Sequence, residues 1–257
     1  MKKRKIGVMI ESFRLGVKRG IQKAAELGAD GFQIYATDGE MAPEALSASG
    51  RAAFRKFVAD QGLVIGALCA DYGRGFLDPA KNDETIAMTK ACLDLAVDLR
   101  TNVVTSHIGT LPADEKDVKW KAGLQAITEV ARYGASKGVW FASETGPESG
   151  EHLCRFLDQI PGRVCKVNFD PANLAMYGFD PLSGVRALKD YIVHTHAKDG
   201  LKGVMKEVPL GEGAVDFPKY LAAMDAIGFK GFLTIERECG DDPVGDITKA
   251  IRFLRAL

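Results

Sequence analysis

The chain predicts a closed (β/α)8 TIM barrel, a single α/β domain over residues 1–257, and three observations carry that prediction. Short apolar runs alternate with helix-length stretches from end to end, with no long polar linker between them. One join recurs: a helical stretch closes on Gly, and an apolar run follows almost at once. It reads AAELGADGFQIY, FVADQGLVIGALCA, YGASKGVWFASE and MDAIGFKGFLTIE. Gly just past a helix takes the left-handed cap conformation without a Cβ penalty, so each join reads as helix, cap, buried strand. Extended along the chain, the alternation gives eight strand–helix units, which favour a closed barrel over an open sheet, and the first βα turn, IESFRLG, lacks the GxGxxG of a dinucleotide fold.

In chain order, strands are expected at 4–10, 31–36, 63–69, 102–107, 139–144, 164–170, 191–196 and 231–236. The helices between them fall at 14–28, 45–61, 82–99, 117–137, 149–159, 181–189 and 216–228, with a last one at 244–256. Asp216 is placed to cap the helix it opens. Apolar residues make up 46% of the chain, enough for a sizeable core. Trp140 and Phe169 are expected in that core.

Lys+Arg and Asp+Glu both number 34, a balance that argues against nucleic-acid or anionic-membrane partners. The opening MKKRK and IGVMIESF resemble the start of a signal peptide. Glu11 and then Arg14 break the apolar stretch, which predicts neither export nor membrane insertion. Five cysteines form no CxxC pair, which fits free thiols in a reducing cytoplasm.

Four of the apolar runs end on a residue able to bind a cation: WFASE at Glu144, KVNFD at Asp170, IVHTH at His196 and FLTIE at Glu236. The first three stand 26 positions apart, about one strand–helix unit, so parallel strands would deliver them to one edge. In a barrel that edge is the C-terminal mouth, where reactive groups sit. Oxygen donors with one imidazole suit Mn²⁺, Mg²⁺ or Co²⁺. Strand alternation puts Asn168, His194 and Thr234 one layer below Asp170, His196 and Glu236.

Each residue also has an ordinary explanation. Strand-end Glu is usually solvated, but a bare carboxylate behind a buried strand is costly without a partner, so Glu144 and Glu236 are the acid–base candidates. Asp-Pro at Asp170 is a common turn opener, yet it stands in step with the other tips. In VHTHAKD, His196 is expected as the ligand and His194 as its buried neighbour. His107 ends VVTSH and points into the same mouth as a substrate contact, while His152, at a helix start, is expected on the surface. Lys198 and Asp199 open a loop running to PLGEGAVDF, which either closes over a polyol or merely connects to the next helix. Asn173, Lys198 and Glu11 are also expected among the substrate contacts.

Together ASETG, NFDPANL, HTHAKD with PLGEGAVDF, and IERE resemble the xylose-isomerase-like superfamily of sugar isomerases and epimerases. The likeness covers essentially the whole chain and is densest from strand 5 onward. It implies one divalent metal, Mn²⁺ first, held by Glu144, Asp170, His196 and Glu236. It also implies proton transfer beside a carbonyl through an enediolate, with Glu144 and Glu236 on opposite faces of a sugar or keto-sugar. A homo-oligomer is compatible with it.

Two departures stand out. Ketose 3-epimerases of the family carry a substrate-binding His where this chain has Asn173, and many relatives show a Glu in strand 2, which here ends QIYATD. The combination resembles relatives handling inosose, keto-glycosides or other cyclic keto-sugars. A lyase of the inosose or dehydroshikimate dehydratase kind is therefore the alternative. An apurinic endonuclease of related fold needs three zinc ions and many histidines; four histidines and no basic excess leave the chain underequipped. An intact ligand set argues against a catalytically silent sugar binder. Glu238, Asp241 and Asp242 on the last loop oppose a substrate phosphate, with Lys198, Lys202 and Lys206 as the compensating charges.

Overall fold

Runs of Val, Ile and Phe without polar alternation suit strands buried on both faces, as parallel sheets require. The computed structural model describes residues 4–257; residues 1–3, which begin the leader-like stretch, lie outside them. Its strands are β1 (Lys5–Met9), β2 (Gly31–Tyr35), β3 (Val64–Cys69), β4 (Val103–Ser106), β5 (Trp140–Glu144), β6 (Lys166–Phe169), β7 (Ile192–Ala197), the two-residue β8 (Asp199–Gly200) and β9 (Glu207–Val208), and β10 (Phe232–Ile235). β1 to β7 and β10 form a closed parallel barrel, and β10 seals it against β1 from Lys5↔Phe232 to Val8↔Ile235. β8 and β9 make a small antiparallel hairpin outside the barrel.

The helices are α1 (Val17–Glu26), α2 (Ala48–Asp60), α3 (Asn82–Leu99), α4 (Val118–Ser136), α5 (Gly150–Asp158), α6 (Pro171–Met176), α7 (Pro181–Leu188), α8 (Phe217–Ala226) and α9 (Pro243–Ala256). Most start on a side-chain cap. Ser47 accepts from Gly50 N at 3.1 Å, Asp117 from Lys119 N at 2.7 Å and Asp216 from Lys219 N at 3.1 Å. Each such cap contributes about 1 kcal/mol. Between strands and helices lies the main core, where Trp120, fully buried, meets Phe156 edge-on at 5.0 Å.

The eight-strand barrel agrees with the sequence reading, and the differences lie in the connections. Helix α1 begins at Val17 rather than at 14, because Arg14 and Gly16 take left-handed backbone (φ 56 and 73) after a 3-10 turn over Ile10–Phe13. The hairpin β8–β9 and helix α6 were not expected. Phe169 is in the core as expected, but Trp140 is only half-buried, with the Lys166 ammonium 5.2 Å from its ring. His152 is half-buried rather than superficial; its ring stands edge-on to Trp120 at 5.4 Å and donates to Pro112 O at 3.0 Å. The five cysteines are free thiols. Among the described residues no helix is long and apolar enough to cross a membrane.

Inside the barrel the two ends differ. The floor is small and apolar, with Ala67, Val103 and Ala142 packed together. Gly31 makes room for the Phe232 ring: a Cβ there would stand 2.6 Å from Phe232 Cε1. Above the floor the interior turns polar, with Gln33, Thr105, Asn168, His194, His196 and Thr234 all buried.

Candidate active site

Strand register aligns the polar layer. Glu144 pairs with Asn168, Asn168 with His194, and His196 with Thr234. Two strand pairs slip register inside the barrel: β2–β3 between Phe32 and Gln33, and β6–β7 between Val167 and Asn168. Both slips fall beside residues that touch His196. The His196 Nε2–H donates to Gln33 Oε1 at 3.0 Å, and Asn168 Nδ2 lies 3.2 Å from the same nitrogen. Gln33 is itself oriented by donating from Nε2 to Thr105 Oγ1 at 2.9 Å.

With Nε2 engaged this way, Nδ1 of His196 faces three carboxylates. It lies 3.3 Å from Glu144 Oε1, 3.5 Å from Asp170 Oδ2 and 3.3 Å from Glu236 Oε2. One donor atom from each of the four residues falls within 4.8 Å of the others, and all four side chains are buried. Asp170 Oδ1 caps α6, accepting from Ala172 N at 2.8 Å and Asn173 N at 3.0 Å. Its Oδ2 and His196 Nδ1 have no hydrogen-bond partner. Burial opposes charge on His196, but the carboxylates of Glu236 and Glu144 outweigh it and hold its pKa well above the ordinary value. Burial likewise opposes ionised Glu236, yet His196 and Lys198 hold its carboxyl well below the usual range. The cluster calls for positive charge at its centre. Three carboxylate oxygens and one imidazole nitrogen fit a hard divalent cation there.

A second layer holds these donors in place. His194 donates from Nδ1 to Asn168 Oδ1 at 2.9 Å and accepts from Thr234 Oγ1 at 3.0 Å, while burial and the neighbouring His196 keep it neutral. Asn168 Nδ2 donates to Glu144 Oε2 at 3.0 Å, and Asn173 Nδ2 to Glu144 Oε1 at 3.3 Å. Thr145 Oγ1 accepts from Asp170 N at 2.7 Å and donates to Asp170 O at 2.9 Å, tying β5 to β6 at the rim. Outer contacts of this kind orient metal ligands and set their basicity. Sequence reasoning missed Gln33 and Thr145. A lone Gln inside the apolar run GFQIY was the available signal for the first.

Above the cluster opens a cavity of about 240 Å³. His107, Asn173 and Lys198 line it, with Glu144 and Glu236 at its base; Glu238 of the last loop joins the wall, and Asp71 and Tyr35 are further wall residues that sequence reasoning did not single out. His107 donates from Nδ1 to Asp71 at 2.6 Å and holds Nε2 3.6 Å from Glu144 Oε1. The Glu144 carboxylate, against the opposing effect of burial and with help from Asp71, pushes its pKa up to about 10. Lys198 is buried, donating to Glu236 Oε2 at 2.8 Å and also to Glu238. Glu11 lies outside this cavity, in an adjoining hollow of about 230 Å³, its Oε1 accepting from Tyr35 N at 3.1 Å. Asp199 faces the loop rather than the cavity. A larger hollow, about 490 Å³, opens at the opposite barrel end, but no carboxylate among the described residues lines it.

A family model described as xylose isomerase-like TIM barrel matches residues 21–257. The chain belongs to this family. Among curated relatives, L-ribulose-5-phosphate 3-epimerase UlaE of Shigella flexneri is 35% identical over 89 residues, 34% of this chain. The match spans only about a third (31%) of that relative's length. Among solved structures, a xylose isomerase domain protein from Planctomyces limnophilus superposes with a TM-score of 0.86 at 25% identity, covering 99% of this chain and 97% of that one. The probable 3-DHS dehydratase AsbF of Bacillus anthracis shares the fold, with a TM-score of 0.81 at 18% identity over 97% of this chain and 98% of its own. The xylose isomerase-like barrel thus frames the cluster at its mouth.

Proposed function

We propose that the chain is a divalent-metal-dependent isomerase or epimerase of a sugar or keto-sugar, moving a proton at the carbon next to a carbonyl. The observation that carries this reading is the convergence of Glu144, Asp170, His196 and Glu236 beneath a polar cavity, with Asp170 Oδ2 and His196 Nδ1 left unpartnered at the meeting point. These four residues would hold the cation, Mn²⁺ first and Mg²⁺ or Co²⁺ as alternatives. When bound, it supplies Lewis acidity toward the carbonyl and neighbouring hydroxyl oxygens of the substrate.

The chain's own groups divide the proton work. Glu236 is the base: its Oε2 accepts from Lys198, while Oε1 takes no hydrogen bond among the described residues and is open to the carbon acid. Glu144 is held from both sides by Asn168 and Asn173, a rigid position for a group that delivers a solvent-derived proton to the other face while Glu236 keeps the one it removed. Removal on one face and delivery on the other inverts the centre. His107 and Asn173 contact the substrate oxygens from the wall, and Glu11 reaches only a substrate long enough to enter the adjoining hollow. Balanced charge and free thiols support a cytoplasmic enzyme of one domain, acting alone or as a homo-oligomer on a small molecule rather than on nucleic acid or membrane.

A second reading, a lyase on a cyclic keto-sugar, is favoured by His107. An imidazole with its pKa near 10, standing 3.6 Å from Glu144, is positioned to protonate a departing β-hydroxyl. Turnover in deuterated water separates the two: an epimerase incorporates one deuteron and otherwise conserves mass, whereas a lyase loses water. Glu236→Gln should lower turnover roughly 10³-fold with an unchanged circular dichroism spectrum. Full activity in that variant removes the proposed base.

A further inference from the structure

We infer that the site accepts an uncharged keto-sugar or keto-polyol and rejects its phosphate ester, an inference that rests on the sugar-enzyme reading above. Three separate features of the mouth lead there.

The cavity wall is acidic and its cations are already engaged. Asp71, Glu144, Glu236 and Glu238 line it against two basic side chains, His107 and Lys198. His107 is bound to Asp71 at 2.6 Å, and Lys198 to Glu236 at 2.8 Å and to Glu238. A divalent cation would offset part of the charge on the buried cluster, but Asp71 and Glu238 stand outside that cluster. Lys202 and Lys206, the compensating charges expected on the β7 loop, are exposed and do not line the cavity; the hairpin presents Met205 to it instead.

Arginine is engaged as well. In the adjoining hollow, Arg14 donates to Gly240 O at 2.9 Å and Glu238 O at 2.8 Å. Arg237 donates to Asp246 Oδ2 at 2.9 Å and to Glu207. A guanidinium committed to a half-buried carboxylate pair cannot turn to a phosphate without leaving those charges unpaired.

The helix N-termini that barrels use for phosphate are closed by their own side chains. Barrel enzymes commonly seat phosphate on backbone N–H groups after the last two strands. Here Asp216 accepts from Lys219 N at 3.1 Å at the start of α8, and Asp242 from Gly245 N at 2.9 Å at the start of α9. Asp170 does the same for α6. A phosphate dianion would meet a carboxylate at each of these places. An uncharged substrate instead finds hydrogen-bonding oxygens on the wall, with Tyr177, Pro147 and Met205 as apolar surface for C–H groups.

The test uses matched pairs, L-ribulose with L-ribulose 5-phosphate and D-tagatose with its 6-phosphate. Solvent deuterium exchange and calorimetric binding are both read on the metal-loaded protein. The unphosphorylated member should be favoured at least ~100-fold in kcat/KM and should bind more tightly. Glu238→Gln, at an exposed position, should shrink that preference about tenfold by removing one wall charge and releasing Lys198. A phosphate ester that binds or exchanges as well as its parent overturns the inference while leaving the isomerase reading standing. Exchange that persists after complete metal removal overturns the reading instead. A preference unchanged by Glu238→Gln overturns the role given to the wall charge.

Discussion

Asp170 and Asp199 each stand just past a barrel strand and each is buried, at 0% and 1% exposure, yet their surroundings treat them in opposite ways. Asp199 accepts four backbone N–H bonds: from Gly200 at 2.9 Å and Val215 at 3.1 Å on Oδ1, and from Gly211 at 3.0 Å and Gly213 at 2.9 Å on Oδ2. Both oxygens are satisfied, and the carboxylate pins the far end of the β7 loop against the barrel. Asp170 satisfies one oxygen through the cap of α6 and leaves the other bare, facing His196 Nδ1 at 3.5 Å. Burial of a carboxylate therefore does not mark a site. An unfilled acceptor that converges with other unfilled donors does.

The largest expected effect breaks the Asp170 side of that comparison. Asp170→Asn keeps Oδ1 for the cap but removes a charge from the cluster. Mn²⁺ affinity measured by calorimetric titration should fall at least ~10³-fold, about 4 kcal/mol. Retained affinity would mean that Asp170 is only a cap. The next effect sits on the other side. Asp199→Ala leaves four backbone N–H groups without their acceptor and should cost about 3 kcal/mol in urea unfolding. Mn²⁺ affinity should stay within about tenfold, since no Asp199 oxygen faces the cluster. A large loss of metal binding there would show that the loop and the centre are one unit.

The same contrast shows what a sequence can disclose. The barrel was legible because helix, Gly cap and apolar run repeat through the chain, and Glu144, Asp170, His196 and Glu236 fall at one place in that repeat. The bonds that orient them were not legible. Gln33 and His196 lie 163 positions apart and meet only through the closed barrel, at a register slip that no local pattern announces. At Asp170-Pro171 the ordinary local alternative to a ligand is a turn, although Asp at the cap with Pro in the first turn also opens helices, as α6 does. Six residues are too few for a helical period to decide between the two. Asp199 was visible as a residue but not as the acceptor of four amides, because those amides come from a loop whose path depends on the hairpin β8–β9.

Glu148 sharpens the comparison from a third direction, with the smallest expected effect. Like Asp170 it is buried, at 7% exposure, and keeps one oxygen, Oε2, without a hydrogen-bond partner. Unlike Asp170 it stands outside the converging cluster. A solitary bare carboxylate in that position should hold a proton rather than a cation, and burial pushes its pKa up to about 7 against the opposing backbone hydrogen bonds. Between about 4.5 and 7 the folded chain keeps this proton while the unfolded chain has released it. Stability then falls as pH rises through that window and levels off above it. Glu148→Gln removes the ionisation, so it should exceed the parent by on the order of 2 kcal/mol in urea unfolding near pH 8 and lose most of that advantage near pH 5. A gap of the same size at both pH values would show that Glu148 does not titrate in this window. A bare buried oxygen would then have to be explained without either a proton or a cation.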